Sequence, residues 1–355
     1  MLVLFVVPYP LSSAPSQRFR FEQYLGLLQQ QNVTCDVASF FSANAWRVLY
    51  KENQTLIKVI YTLQSILGRL LLLLRCNKYD LIYIHRFAIP IGPPIFEWVL
   101  SKVLGKKIIY DFDDAIWIED STKENKLTSF MKPHLGVKKI CTWSYKVSCG
   151  NNYLADYAKK YNKNVIVNPT TIDTEYYHNP ELYKKEKNRL KIGWTGTHST
   201  IKYLDEITGV ISQLEEVYEF DFVVIANKNP NFSLKSFQYI EWNKDTELQD
   251  LYQIDIGLMP LFSDEWSNGK CGFKSLQYMS MGIPTIASTV GVNVNIINDG
   301  VNGYLSTSQN DWYKCIELLI LNKTLRNRIG NNGRKTVVDS YSVKSNNKNV
   351  LQLFN

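Results

Sequence analysis

The sequence is poor in the residues that staple or metallate a fold. Its six cysteines, at 35, 76, 141, 149, 271 and 315, include no CxxC pair, and its four histidines are not grouped at metal-ligand spacing. A disulfide framework or a structural zinc needs such pairs, so the chain reads as reduced, zinc-free and cytoplasmic. The first residues, MLVLFVVPYP, have no basic leader and no small-residue cleavage site, and Pro8 interrupts the apolar run. A buried first strand is predicted there rather than an export signal. No short repeat or low-complexity tract is present, which excludes a solenoid.

What is present is the balance of a soluble globular protein: 355 residues, 45% apolar and 21% charged, a length that suits two domains. The net charge of +7 gathers in lysine-rich segments at 102–107, 132–146 and 159–191. Such charge suits nucleic acid, an anionic membrane surface or phosphorylated small molecules. Nucleic acid also needs a basic face with stacking aromatics, and no motif supplies one, so no nucleic-acid partner is expected.

Short apolar runs alternate with helix-length segments: LVLFVV, TCDVASF, DLIYIHR, KKIIYDF, KVSCG and NVIVNP, then KIGWTG, FDFVVIA, FQYIEW, DIGLMPL, PTIAST and GYLS. This alternation implies βαβ units with parallel sheets buried on both faces. The predicted fold is α/β, two Rossmann-like domains facing a central cleft, at 1–170 and 171–340. The polar stretch TTIDTEYYHNPELYKKEKNR reads as a linker or exposed connection, and 341–355 as a closing helix that returns to the first domain.

Residues 56–74, LIKVIYTLQSILGRLLLLL, form a 19-residue stretch, close to the roughly 20 that span a bilayer. Lys58, Thr62, Ser65 and Arg69 recur at spacings of four, three and four, one narrow polar stripe on an apolar helix. Two charges inside argue against spanning. Two readings remain, a helix packed on the sheet and a helix lying on a membrane surface.

Loops after the strands are where open α/β sheets bind ligands. In PYPLSSAPSQRFR, Ser16 is placed as a helix cap, with Arg18 and Arg20 presented to an anionic ligand or simply solvated. In YDFDD, Asp111, Asp113 and Asp114 crowd three carboxylates, so one pKa should rise unless a cation or donors stand nearby. A divalent metal site and a base for an acceptor hydroxyl compete there, and a helix cap accounts for one of the three. IGWTGTHST sets Gly196, Thr197 and His198 at a strand-to-helix turn whose amides attract phosphate, with Lys202 in the helix that follows. Trp242 stands beside a nucleotide base or in the core, and VGVN at 290–293 is a further candidate loop.

GKCGFKSLQYMSMGIPTIAS, residues 269–288, predicts a helix that opens at Gly272 and Phe273 and closes at Gly282. Lys274 falls in its first turn, where the helix dipole disfavours a cation unless an anion sits beside it. Lys274 and Gln277 are three apart and share a face, suiting a phosphate and a neighbouring hydroxyl pair.

In order and spacing, IGWTG, ELQDLYQIDIGLMPL, GFKSLQYMSMGIPTIAS, VGVN, DGVNGYL and LRNRIGNNGRKTVVDSYS resemble the donor-binding domain of retaining GT-B glycosyltransferases of family 4, glycosyl transferases group 1. PSQRFRFEQYL, DFDDAIW and GNNYLADYAKKY in the first half resemble the same group more loosely. The family's two glutamates, eight apart before M-x-x-G-x-P, fall on Gly269 and Gln277. Its arginine in the first donor-domain loop falls on Thr197, its lysine on Lys202, and its histidine after the fifth N-terminal strand on Asp113.

The resemblance implies sugar transfer from a nucleotide diphosphate sugar to a hydroxyl of a glycan or lipid-linked glycan, in cell-surface polysaccharide synthesis. It implies retention at the anomeric carbon and no essential metal or other cofactor. Gly196, Thr197, His198, Lys202, Trp242, Gly272, Phe273, Lys274 and Gln277 are then donor residues, Arg18 and Arg20 acceptor residues, and Asp113 and Asp114 catalytic candidates. A peripheral place on the inner face of the cytoplasmic membrane accompanies this reading. The rivals are a metal-dependent GT-A-like transferase using Asp111 and Asp113, and a non-catalytic nucleotide- or sugar-binding protein.

Overall fold

A computed structural model describes residues 1–49, 51, 53–118, 136–186 and 189–355, so parts of the lysine-rich segments 132–146 and 159–191 lie outside the described residues. The chain divides into two compact units, Met1–Thr170 with Asn347–Asn355, and Thr171–Asn346. Among the described residues each unit carries one six-stranded sheet.

In the first unit the strands are β1 (Leu2–Val7), β2 (Thr34–Ser39), β3 (Leu81–His85), β4 (Lys107–Phe112), β5 (Lys146–Cys149) and β6 (Val165–Val167). Their order is β2-β1-β3-β4-β5-β6 and every pairing is parallel. In the second unit they are β7 (Lys191–Gly196), β8 (Asp221–Ala226), β9 (Phe237–Glu241), β10 (Ile256–Met259), β11 (Thr285–Ser288) and β12 (Tyr304–Ser306). Their order is β12-β11-β10-β7-β8-β9, again all parallel. Each of the twelve apolar runs read in the sequence is one of these strands. The central strands are mostly apolar because helices cover both faces, whereas the edge strands β2 and β9 carry exposed polar residues. On β8, Phe222, Val224 and Ala226 enter one core with Ile192 and Trp194, while Val223 and Ile225 enter another with Leu248, Leu251 and Tyr278.

The polar stretch after Pro169 is not a loose linker. Ile172 bridges to Ser342, His178 is buried, Lys185 donates to the carbonyls of Tyr252 and Ile254, and Tyr177 and Tyr183 pack against the Val223 core. Its aromatic residues supply apolar area that its charge pattern conceals. The last helix, Val343–Phe354, crosses the unit boundary, and from residue 347 it belongs to the first unit.

The first unit is organised around a charge cluster with no exposure. Asp111, on β4, takes the guanidinium of Arg20, His85 Nδ1 at 2.8 Å and the Ser148 hydroxyl at 2.6 Å. Burial pushes its carboxyl up, but the Arg20 charge and the His85 hydrogen bond overcome burial and hold it well below the usual range. Arg20 therefore faces inward, and it also donates to the Asn168 carbonyl. The reading of Arg20 as an acceptor ligand gives way to this bracing role. Ser16 is likewise not a cap. The helix Pro15–Arg18 has Ala14 at its N-cap and Pro15 in its first turn, and its entry is fixed by fully buried Gln17, which accepts from Tyr9 N and donates to Tyr9 O.

Replacing Arg20 by Met strands a buried carboxylate, and unfolding free energy at pH 7 is expected to fall by about 3–5 kcal/mol. Because the folded pKa of Asp111 lies below its unfolded value of about 3.9, the pair's contribution is complete above about pH 4 and is lost as pH falls through the folded value. Urea titrations of both proteins between pH 7 and 3 measure this. Equal stability at pH 7 would return Arg20 to the ligand candidates.

Candidate active site

In the second unit the strand order reverses between β7 and β10, and the crevice at their carboxyl ends is where a doubly wound sheet takes its ligand. Gly196, Thr197 and His198 leave β7 there, and residues 260–274 leave β10 there. A Cβ on Gly196 would lie 2.3 Å from the Trp194 ring, so glycine is needed for that ring to pack. Thr197 caps the 3-10 helix His198–Glu206, its N–H donating to Thr200 Oγ1 at 3.1 Å. His198 is tied to Asn227, after β8, by its own N–H at 2.7 Å and by Nδ1 at 3.1 Å. That position braces two loops against each other. Exposed Lys202 sets its ammonium 5.6 Å from the Tyr203 ring.

The segment after β10 begins with Asp264, which caps the short helix Glu265–Asn268 through a 2.7 Å bond from Ser267 N. Gly272 follows with φ +68°, in the left-handed region, and an added Cβ would meet Ile296 Cδ1 at 2.3 Å. The helix Phe273–Ser280 then starts at the point expected from the sequence. It ends in a Schellman arrangement, with Gly282 N bonded to Met279 O and Ile283 N to Tyr278 O. Tyr278 OH accepts from Thr195 N at 2.9 Å, which pins this helix to β7. Half-buried Lys274 places its ammonium 5.5 Å from the centre of the Trp194 ring, and Gln277 is 9% exposed one turn deeper, with half-buried Phe273 at the helix start. Asn293, after β11, closes the far side, its buried Oδ1 lacking a partner and its Nδ2 donating to Ser288 O.

Trp242 stands apart from this group. It follows the edge strand β9, two strands from β7, and packs half-buried against the Val223 core. Two strand spacings are about 10 Å. The core reading of Trp242 is the one its surroundings support.

In the first unit the order reverses between β1 and β3. Arg86 follows β3 with φ +58°, a conformation costing about 1–2 kcal/mol for a residue with a Cβ. Its N–H holds the Asp111 carbonyl at 2.8 Å, while its guanidinium bonds Asp113 Oδ1 at 2.8 Å and Asp114 Oδ2 at 2.6 Å. These side chains are 20%, 11% and 16% exposed, so the cluster is accessible but closely held. Burial favours loss of the Arg86 charge, but the two carboxylates outweigh it and keep the guanidinium protonated. Asp113 and Asp114 thus follow the fourth strand, not the fifth, and share a cation that sequence reasoning missed, because Arg86 read as the tail of a strand. Arg18 is half-buried, 5.1 Å from the Phe19 ring.

The three aspartates are therefore divided. Asp111 turns inward to Arg20 and His85, and the other two turn to Arg86. Among the described residues no group of three His, Cys, Asp or Glu side chains is arranged to hold a metal ion.

Residues 230–336 match the family model for glycosyl transferases group 1. A Klebsiella pneumoniae protein described as an uncharacterized 41.2 kDa protein in the cps region is 24% identical over 278 residues, 73% of this chain and 74% of its own length. Among solved structures, sucrose-phosphate synthase from Thermosynechococcus elongatus is similar at a TM-score of 0.72 and 13% identity, covering 99% of this chain and 98% of that one. Anabaena HepE, in complex with UDP, is similar at a TM-score of 0.65 and 13% identity, covering 100% and 99%. The fold is that of the GT-B glycosyltransferases.

Removing the Arg86 charge leaves Asp113 and Asp114 facing each other. In an Arg86→Met variant the loss of these charge-assisted bonds is expected to lower unfolding free energy at pH 7 by about 1.5–3 kcal/mol, measured by urea titration. Unchanged stability would show that Arg86 does not hold them together.

Proposed function

We propose that this chain transfers a sugar from a nucleoside diphosphate sugar to a hydroxyl of a glycan or lipid-linked glycan. The transfer proceeds with retention and without an essential metal, in the cytoplasm and in the service of cell-surface polysaccharide synthesis. The observation that carries the reading is the second unit's crevice. Lys274, Gln277 and the first amides of Phe273–Ser280 gather at the strand reversal, within the segment that matches the group 1 transferases. The UDP complex of HepE supports a nucleotide ligand, and the cps-region relative supports a polysaccharide role. Six free thiols fit a reducing compartment.

In this reading the bond between the anomeric carbon and the diphosphate oxygen breaks, and its electron pair leaves with the nucleoside diphosphate. The acceptor oxygen bonds to the same carbon and gives up its proton to Asp113. Charge building on the leaving phosphates is met by Lys274, Lys202 and helix amides, donors fixed before the reaction begins. Gln277 hydrogen-bonds the ribose hydroxyls, and the Arg86 bridge keeps Asp113 and Asp114 in place. The metal-dependent alternative loses support because Asp111 is spent on Arg20 and His85.

A thermal-shift screen of UDP, GDP, ADP and their sugars tests the donor site, and no response to any diphosphate would sink it. With the nucleotide so identified, Lys274→Ala should weaken diphosphate binding by about 1.5–3 kcal/mol. The same change should leave the affinity for the nucleoside nearly unchanged in calorimetric titrations. Parallel losses for both ligands would make Lys274 a structural residue whose work is covering Trp194.

Transfer itself, followed as diphosphate release, should persist in EDTA. In the same assay Asp113→Asn should lower turnover about a hundredfold or more, the smaller end of a general base's contribution, with donor KM little changed. A metal requirement would revive the GT-A-like alternative, and equal changes in kcat and KM would make Asp113 a donor-positioning residue.

A further inference from the structure

The helix Thr55–Leu73 is turned inside out. Arg69, from its polar stripe, is 2% exposed and donates to three backbone carbonyls, Ala88 O at 2.9 Å, Ala38 O at 2.9 Å and Val7 O at 2.7 Å. Burial lowers its pKa to about 10, which leaves it charged at neutral pH. Tyr61 and Ile66 pack on the Phe40–Phe41 cluster beside it. The polar side of the helix is therefore anchored in the first unit and its leucines point away. Leu56, Leu63, Leu67, Leu70, Leu71 and Leu74 are between 50% and 80% exposed. The helix packs against Ile95–Trp98, and Ile95, Trp98 and Val103 extend the apolar surface with exposures of 59%, 45% and 61%. An uncovered surface of this kind marks an interaction site.

Charge identifies the occupant. Besides the inward Arg69, residues 53–79 contain Lys58, Arg75 and Lys78, the last paired with Asp36, and no acidic residue. Exposed Lys51 and Arg75 stand at the two ends of the helix, and exposed Lys102 lies beside Trp98. The one acid in 81–110, Glu97, is buried and accepts from Ala88 N. An apolar face rimmed by cations, with a half-exposed tryptophan, fits an anionic lipid surface. A second copy of the chain fits it poorly, because two-fold pairing would set these cations against their own kind. Three hydrogen bonds from buried Arg69 keep the helix on the folded unit and oppose its crossing the bilayer, although its length and composition would allow that.

We infer that this face docks the protein on an anionic membrane, with the helix lying in the interface. The carbonyls that Arg69 holds belong to β1, β2 and the residues just after β3, so the lipid-facing helix adjoins the same sheet end as Arg86. That proximity to a lipid-linked acceptor rests on the transferase reading. The docking itself does not, since it is measured with no substrate present.

The test is co-sedimentation of the full-length protein with vesicles of equal phosphatidylglycerol and phosphatidylcholine, and with phosphatidylcholine alone. Binding to the anionic vesicles at low salt, at least tenfold weaker at high salt or without phosphatidylglycerol, is the expected result. A Leu63→Gln, Leu67→Gln, Leu70→Gln variant should bind at least tenfold more weakly, with an unchanged melting temperature. Arg75→Ala should lose about fivefold on anionic vesicles, as one interfacial cation is worth about 1 kcal/mol. Absence of binding at low salt, or equal binding by the leucine variant, would overturn the inference. So would a wild type that ignores vesicles and forms a dimer that the leucine variant dissolves.

Discussion

Every strand of both sheets runs parallel, and the positions of the candidate residues follow from that constraint. A parallel strand cannot be joined to its neighbour by a hairpin, so the chain must cross over a face and re-enter from the same end. All carboxyl ends then collect along one edge of each sheet, and the residues that leave them become neighbours without being close in sequence. Trp194 and Lys274 meet at the β7 and β10 ends in this way, and Arg86 meets Asp113 at the β3 and β4 ends. The crossovers also cover both faces, which is why the central strands are mostly apolar.

Charged groups buried in such a unit need partners to offset the loss of water. The first unit does so three times: Asp111 with Arg20, His85 and Ser148; Arg69 with three backbone carbonyls; and Glu97 with the Ala88 amide. The first cluster ties β3, β4 and β5 to the segment that follows β1, so the loops at the reversal are held from beneath by charge as well as by packing. Arg86 continues this framework outward. Its backbone is bound to the buried strand, and its side chain is bound to carboxylates that still reach solvent.

The two units differ in how they hold a charge for use. In the second, Lys274 rests at a helix start against the face of Trp194, an attraction worth roughly 0.5–1 kcal/mol. In the first, Arg86 is fully engaged by two carboxylates and acts on their placement.

Sequence alone determined the twelve strands, the two-part chain and the helix at Phe273, because each rests on local information: an apolar run, a glycine, a proline. It also singled out the loops at the strand ends, since those follow from the strands. It did not determine which aspartate faces inward, because Asp111, Asp113 and Asp114 differ only in what distant residues bring to them. Arg20 lies 91 positions from its partner and Arg86 lies 27 from Asp113, separations at which periodicity carries no information. Nor did it decide the outward side of residues 56–74. The stripe was legible as a pattern, but only the carbonyls left by β1, β2 and the turn after β3 gave Arg69 a reason to point inward and its leucines a reason to point out.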